Sequence, residues 1–307
     1  MKGIVGGAVY LSLAASIWGG MYVVSKYALD TIPPFTLLFF RYLLAACLLG
    51  LICWFKSEEL VPTRERGLIF QIGFVGYFLS IAAQFIGTKL SSAHMGAVIT
   101  TLSPVFLSAF AVFILKEKIT AKQVVSIAIA LAGVLVVVGM PGLQGEGSAL
   151  AGNLFLLAAA LFWGYYSVIS RKVSTVYSPL QITTWGIVIA TVLTFPCIFF
   201  ELSEWSSGDL FALPILLSIL YIGVISTALA FFSWNKGLAL VPSHQAGLFF
   251  FFQPVVGTLL GWLFLNEHLS QSFFMGSLLI LAGVYYNMKQ PTVSGDDPLT
   301  GVERGKA

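Results

Sequence analysis

One charged residue lies deep inside an otherwise apolar stretch of this sequence. Arg41 stands in the run Phe-Phe-Arg-Tyr-Leu at positions 39–43, well past Pro34. About seven helical residues rise about 10 Å, and a charge at such depth usually faces a cavity or a partner. The functional interpretation is a ligand for a substrate carboxylate or another anion. The structural alternative is an arginine that bonds backbone carbonyls or extends toward the surface, and the sequence leaves both open.

Two prolines interrupt apolar runs at corresponding places in the chain. Pro104 and Pro254 each remove a backbone donor and free carbonyls about one turn earlier, near Thr100 and Phe250. Such groups are tolerated in apolar surroundings only where they are buried in protein or face water. The pair is therefore predicted to form hinges or gates, with a static kink as the alternative.

A set of aromatic and amide side chains is suited to line a path for a solute. Trp18 and Trp163 each precede a glycine, and they are predicted to fill space between helices and to wall a cavity. The other polar members have an alternative role as interhelical hydrogen-bonding groups. The complete set of predicted substrate-cavity residues is Arg41, Trp18, Trp163, Tyr77, Gln84, Trp234, Asn235 and Gln253.

Two glutamates lie in tight turns and are predicted to be structural. Glu117 and Glu267 stand in the related segments Leu-Lys-Glu-Lys-Ile-Thr and Leu-Asn-Glu-His-Leu-Ser. Thr120 and Gln123 fit a capping box, which would fix the first turn at the start of the following helix.

Residues for catalysis or metal binding are missing from the apolar segments. No Asp or Glu lies at depth, and no His-Glu-x-x-His motif occurs. The three cysteines lie in apolar runs and are typical of small buried hydrophobic residues. The sequence therefore predicts no catalytic residue, no metal site and no cofactor.

The composition points to a membrane as the solvent of this chain. Of its residues 58% are hydrophobic and 9% are charged, whereas soluble domains carry roughly a quarter charged residues. Since about 20 apolar residues cross a bilayer as a helix, the fold class is predicted to be all-α integral membrane with ten transmembrane helices. The predicted spans are 4–25, 34–54, 67–87, 93–115, 122–140, 150–170, 180–201, 211–233, 244–265 and 270–288.

Basic residues predict the orientation of these spans. With the N-terminus inside, 13 of the 16 lysines and arginines fall in inner segments, Lys26 and Lys89 fall in outer ones, and Arg41 lies within a span. Because inner loops carry the excess of basic residues, both termini are predicted to be cytoplasmic.

The chain contains an internal duplication. Ala-Ala-x-x-Trp-Gly occurs at residues 14–19 and again at 159–164, and Leu-Ala-Gly-Val at 131–134 and again at 281–284. A unit of five helices is odd in number, so the second copy enters the membrane inverted. The predicted repeats are 4–140 and 150–288, with 141–149 as the linker and 289–307 as a disordered cytoplasmic tail.

These motifs resemble those of the drug/metabolite transporter superfamily, specifically its EamA-type ten-helix group. The resemblance rests on the Trp-Gly pairs, the mid-helix prolines, the Leu-x-Glu turns and the Leu-Ala-Gly-Val segments, and it covers roughly residues 5–288. It implies two inverted five-helix bundles around a central cavity. It also implies transport of amino acids, other metabolites or drugs, without choosing among them.

The predicted function is secondary transport, as export, of small organic metabolites, amino acids or drugs by alternating access in the cell membrane. The alternatives are an intramembrane enzyme acting on lipid-like substrates, a nucleotide-sugar type carrier, and a non-transporting scaffold or sensor. The expected partners are membrane lipid and a small-molecule substrate. Nucleic acid is excluded because no basic stripe interleaved with aromatic residues occurs, and a monomeric state is compatible with the sequence.

Overall fold

The computed structural model describes residues 2–58, 61–91, 93–138, 148–204, 212–265 and 271–288, and in these ranges it consists of helices joined by short turns and loops, without a strand. Six of its helices are long and apolar enough to cross a membrane. The chain is therefore a multi-pass membrane protein. These helices are α1 (Lys2–Leu29), α2 (Pro34–Phe55), α3 (Arg66–Leu90), α7 (Ser148–Val173), α8 (Pro179–Ile198) and α9 (Leu213–Leu240).

The other four predicted spans contain shorter helical segments. The predicted span 93–115 is not one helix, because α4 (Ala93–Thr100) and α5 (Ser103–Leu115) are separated by a turn. The predicted span 244–265 is likewise divided, into α10 (Ser243–Ala246), a 3₁₀ segment (Gly247–Phe251) and α11 (Phe252–Leu265). The remaining two segments are α6 (Ala121–Val138) and α12 (Gln271–Met288).

Each break falls at one of the two predicted prolines. Pro104 lies in the first turn of α5 and Pro254 in the first turn of α11, where a missing backbone N–H costs no helical hydrogen bond. The two broken regions also contact each other, since a Cβ added to Gly247 would lie 3.1 Å from the Cα of Pro104.

Helices of the first half of the chain pack mainly on helices of the second half. α1 contacts α9 and α11, and in a matching way α7 contacts α3 and α5. α2 packs on α8, and α6 packs on α12. Each contact that α1 makes with a helix of the second half thus has a counterpart that α7 makes with a helix of the first half. Both halves contribute to one buried core.

Glycine pairs allow two of these contacts to be close. In the contact between α3 and α7, a Cβ on Gly87 would lie 2.8 Å from the carbonyl oxygen of Gly152. In the contact between α1 and α9, a Cβ on Gly237 would lie 2.4 Å from the side chain of Leu11 and 3.2 Å from the Gly7 carbonyl oxygen. Small residues at such crossings let helix backbones approach each other, as is typical of membrane proteins.

The long helices α3 and α9 each contain a π-helical segment. These segments are Ile72–Leu79 in α3 and Tyr221–Leu229 in α9. π-Helical insertions rotate the register of the side chains that follow, and they are frequent at functional sites. Both segments lie beside the cavity described below.

The start of α2 is held by a carboxylate from the residues that follow α8. Glu201 accepts hydrogen bonds from the backbone amides of Phe35 and Thr36 at 3.0 and 2.8 Å, and from the Thr36 hydroxyl at 2.9 Å. An anion at a helix N-terminus satisfies free amides and complements the helix dipole. This contact fixes the helix that carries Arg41.

The capping box predicted for the start of α6 is confirmed. The Thr120 amide donates to Gln123 Oε1 at 2.7 Å, and the Gln123 amide donates to Thr120 Oγ1 at 3.3 Å. Glu267, most of the predicted linker (141–147) and the predicted tail (289–307) lie outside the described residues.

Candidate functional site

A cavity opens among the central helices, between the two halves of the chain. The space free of protein atoms in and at the mouth of this cavity, open solvent included, amounts to about 370 Å³. Five of the eight predicted substrate-cavity residues line it, namely Arg41, Trp18, Trp163, Gln84 and Gln253. The further lining residues are Met21, Tyr22, Ser80, Ile81, Thr100, Ser103, Ala159, Phe231 and Phe250.

Arg41 is completely buried in the wall of this cavity. Its Nε donates to the Thr227 hydroxyl at 2.8 Å. Its guanidinium carbon lies 5.1 Å from the ring centroid of Phe85, 5.5 Å from that of Tyr42 and 5.6 Å from that of Phe231, distances at which a cation is attracted to aromatic rings.

The terminal nitrogens of Arg41 are left without hydrogen-bond partners. Within the described part of the chain neither Nη1 nor Nη2 makes a hydrogen bond, and no lining residue of the cavity is acidic. Burial of a cation costs roughly several kcal/mol of lost hydration, and this cost is not recovered when the cation has no partner. Arg41 therefore holds up to four N–H groups without a hydrogen-bond partner among the described residues.

Thr227, which positions Arg41, was not predicted from the sequence. It lies in the π-helical segment of α9, and its hydroxyl donates to the carbonyl oxygen of Ile222, five residues earlier, at 2.7 Å. The same hydroxyl oxygen then accepts from Arg41. The preceding carbonyl, that of Ser226, accepts from the Trp18 indole at 3.0 Å. One π-helical segment thus orients both the Arg41 guanidinium and the Trp18 ring in the wall of the cavity.

Tryptophan and phenylalanine side chains form the apolar wall. The rings of Trp18 and Trp163 meet edge to face at 5.1 Å, and Phe250 stacks on Trp18 at 5.7 Å. The indole nitrogen of Trp163 has no hydrogen-bond partner among the described residues, unlike that of Trp18. The wall therefore offers a large aromatic surface together with one unpaired donor.

Three predicted cavity residues lie behind the wall instead of lining it. Tyr77 and Asn235 belong to a buried polar network, in which the Asn235 amide donates to the hydroxyls of Tyr77 at 2.9 Å and Thr183 at 2.8 Å, and its carbonyl accepts from Tyr166 at 2.7 Å. Trp234 donates to Ser167 at 3.2 Å and packs on the far side of the aromatic cluster. Because the hydrogen bonds of these side chains run between different helices, these residues hold helices together.

The turn residue Glu117 does more than shape its own turn. Its carboxylate lies 3.3 Å from Nε of Arg171, at the end of α7. Nη1 of Arg171 also donates to the carbonyl oxygens of Leu238 at 2.8 Å and Val241 at 2.5 Å, at the C-terminal end of α9. We call this group of four residues the Arg171 latch.

A related contact lies at the opposite ends of the helices. Lys26, near the end of α1, donates to the carbonyl oxygens of Thr88 and Lys89 at 3.4 and 3.2 Å, at the C-terminal end of α3. It also lies 3.8 Å from Asp30. Cations at helix C-termini satisfy free carbonyls and complement the helix dipole. We call this group the Lys26 latch.

The ranges that the structure describes hold no cluster of three or more histidine, cysteine, aspartate or glutamate side chains placed to bind an ion.

A membrane protein of several long apolar helices, with a buried cationic and aromatic cavity between its halves, has the features of a carrier for small solutes. A profile of the EamA-like transporter family matches the chain twice, over residues 5–139 and 150–288. The chain belongs to the EamA-like transporter family.

Individual relatives agree with this assignment. The uncharacterized transporter YetK of Bacillus subtilis is 28% identical over 302 residues, which cover 95% of this chain and 90% of YetK. A probable amino-acid metabolite efflux pump of Salmonella typhimurium is 27% identical, over 90% of this chain and 92% of the pump. A protein of known crystal structure shares the fold, with a TM-score of 0.76 at 21% identity over 92% of this chain and 96% of its own.

Proposed function

We propose that this protein is a secondary transporter, and specifically an exporter, of small organic solutes that carry an anionic group. The observation that carries the proposal is Arg41, a fully buried cation with two terminal nitrogens unpaired in the wall of an aromatic cavity. A carboxylate supplies the geometry that a guanidinium fork binds best, through two parallel hydrogen bonds.

The rest of the cavity indicates the body of the solute. Trp18, Trp163, Phe231 and Phe250 present ring surfaces, which pack well against an apolar or aromatic group. Carboxylate-bearing metabolites with such a body, amino acids among them, fit this combination. The name of the pump from Salmonella typhimurium, a probable amino-acid metabolite efflux pump, supports both this solute class and the outward direction of transport.

Alternating access between two inverted five-helix repeats, ten helices in all, is the proposed mechanism. The duplicated sequence motifs, the two matches to the family profile and the matching helix contacts all support it. In such an architecture the solute binds between the repeats, and each repeat rocks against the other. The contacting breaks at Pro104 and Pro254 are proposed as the hinges.

The present conformation supports the same mechanism because it is nearly closed. The terminal nitrogens of Arg41 are shut off from solvent, so a metabolite requires the lining helices to separate. The Arg171 latch and the Lys26 latch tie opposite ends of the central helices. We propose that each latch opens while the other stays closed, which would expose the cavity to one side at a time.

Transport by the purified protein in proteoliposomes tests the solute class. We expect 3-phenylpropanoate and phenylalanine, which carry a carboxylate, to exchange at least about tenfold faster than phenethylamine, which has the same ring and no carboxylate. One charge-assisted hydrogen bond contributes roughly 1.5–3 kcal/mol, enough for this ratio. Equal exchange of the three compounds, or preference for the amine, would contradict the proposal.

The orientation has a separate test in whole cells. Lys56 and Arg64 are exposed, and both lie on the side predicted to be cytoplasmic. Single cysteines at these positions, in a chain without its native cysteines, are expected to resist a membrane-impermeant thiol reagent added outside. A cysteine at Asp30, exposed at the opposite end, serves as the labelled control. Strong labelling of Lys56→Cys from outside would show that the orientation is the opposite of the predicted one.

A further inference from the structure

Two polar residues occupy matching positions in the cavity, each directly before a proline. Ser103 precedes Pro104 and Gln253 precedes Pro254, at the breaks of the two divided spans. Each is only 1% exposed, and both line the cavity. Among the described residues, neither Ser103 Oγ nor Gln253 Oε1 has a hydrogen-bond partner.

The unpaired polar atoms of the cavity lining differ in whether they donate or accept hydrogen bonds. The unpaired nitrogens of Arg41 and Trp163 only donate hydrogen bonds. The unpaired carbonyl oxygen of Gln253 accepts, and the Ser103 hydroxyl is able to accept as well. An anion bound by Arg41 would therefore leave the acceptors unsatisfied unless the same solute also carries a donor.

We infer that Gln253, assisted by Ser103, forms a second polar subsite that binds a hydrogen-bond donor of the solute, a hydroxyl or an amino group close to its carboxylate. The inference rests on the proposed function, since it presumes an anion at Arg41. It narrows the solute class from carboxylates in general to carboxylates with a neighbouring O–H or N–H group. Gln253 is then a specificity-determining residue.

The physical basis of this specificity is the cost of an unpaired buried acceptor. A buried carbonyl oxygen without a partner loses its hydration, and binding of a solute that lacks the donor leaves that loss uncompensated. Sites built to hydrogen-bond a polar group of the substrate discriminate against analogues without it. The placement of both acceptors at the helix breaks also puts the subsite on the segments proposed to move.

Binding of three matched solutes to the purified full-length protein tests the inference. The probes are 3-phenylpropanoate, its 2-hydroxy derivative 3-phenyllactate, and its 2-amino derivative phenylalanine, titrated by isothermal calorimetry. We expect the unmodified protein to bind 3-phenyllactate, phenylalanine or both about threefold to tenfold more tightly than 3-phenylpropanoate, the effect of about one hydrogen bond.

Substitutions then assign the preference to a residue. Gln253→Leu and Gln253→Met are expected to remove the preference and to retain affinity for 3-phenylpropanoate, whereas Gln253→Asn, which keeps an amide acceptor and adds no charge to the cavity, is expected to preserve it. Ser103→Ala is expected to weaken the preference, and Ser108→Ala is its matched control. Ser108 lies on the same helix, is also buried and lacks a hydrogen-bond partner in the described ranges, yet it does not line the cavity.

The outcomes separate this inference from the proposed function. Equal affinity for the three probes, or a preference that survives Gln253→Leu and Gln253→Met, overturns the second subsite and leaves the anion at Arg41 intact. Failure of the unmodified protein to bind any of the three carboxylates overturns both. A preference that disappears in both apolar Gln253 variants and persists in Ser108→Ala supports the inference.

Discussion

Arg41→Gln should lower the transport of carboxylate-bearing solutes by at least about 100-fold while the protein remains folded and inserted. Two charge-assisted hydrogen bonds from the Nη atoms contribute roughly 3–6 kcal/mol together, and every 1.4 kcal/mol is about a factor of ten. Glutamine keeps a polar group of moderate size but carries neither the charge nor the planar fork of the guanidinium.

The same change is not expected to destabilise the empty protein. Removal of Arg41 eliminates a buried cation whose terminal nitrogens have no hydrogen-bond partner in the described ranges. Thr227, its hydrogen-bond partner among the described residues, keeps the hydrogen bond to the Ile222 carbonyl. Because an unpaired buried charge is unfavourable, the melting temperature of solute-free Arg41→Gln should equal or exceed that of the unmodified protein. An arginine held only for structural reasons would show the opposite sign.

Exchange in proteoliposomes and thermal unfolding in detergent measure the two effects. Arg66→Gln is the matched control, since Arg66 is exposed and bonds only the Pro62 carbonyl among the described residues. Arg41→Lys should recover part of the transport, because it keeps the charge without the fork. Unchanged exchange across the carboxylates in Arg41→Gln would refute the role of Arg41 as the anion ligand.

The sequence was sufficient to single out Arg41, because a lone charge in an apolar run has few tolerable environments, but it left open whether the side chain faces a cavity or bonds backbone carbonyls. The breaks at Pro104 and Pro254 were also predictable, since proline removes a helical donor wherever it stands. The extent of each break was not, and the two spans drawn as continuous helices are divided. Local propensity gives the position of an interruption but not how many residues leave the helix.

The sequence did not predict the π-helical segments, and therefore it did not predict that Thr227 positions Arg41. The residue count from Leu213 to Leu240 is the same for an α-helix and for one with a π-helical insertion, but the faces of the side chains differ. Tyr77 and Asn235, which were expected in the cavity, form the interhelical hydrogen bonds that were the alternative role for the polar members of this set. Ser103 had a readable signal, its position before Pro104, which matches that of Gln253 before Pro254.

Among the described residues, Arg41 is the one cationic residue in the lining of the cavity, and the second copy of the duplicated unit has no cation at the matching position. By sequence position Gly186 corresponds to Arg41 and Tyr77 to Thr227. In the first half Arg41 reaches Thr227, and at the matching place a Cβ on Gly186 would lie 2.7 Å from the Tyr77 ring. The contact between the helices is thus kept in both copies, with an arginine–threonine hydrogen bond in one and ring packing in the other.

Arg171→Gln should open one end of the transporter and reduce exchange of all solutes by at least about tenfold, whatever their charge. Arg171 is 6% exposed and holds Glu117, Leu238 and Val241 together. Breaking a buried ion pair costs roughly 3–5 kcal/mol, which shifts a two-state equilibrium by more than about 100-fold. A carrier that cannot close one end loses alternation, so the reduction should not depend on the solute.

Accessibility of a cysteine near the latch distinguishes opening from a loss of solute binding. Val241 is buried, so a Val241→Cys variant without the native cysteines should react slowly with a thiol reagent and at least about tenfold faster when Arg171→Gln is added. Lys172→Gln removes an exposed cation at the next position and should leave both labelling and exchange unchanged. Glu117→Gln should act non-additively with Arg171→Gln, because the two residues form one interaction. Slow labelling and normal exchange in Arg171→Gln would show that this end closes without the latch and would refute its proposed role in alternating access.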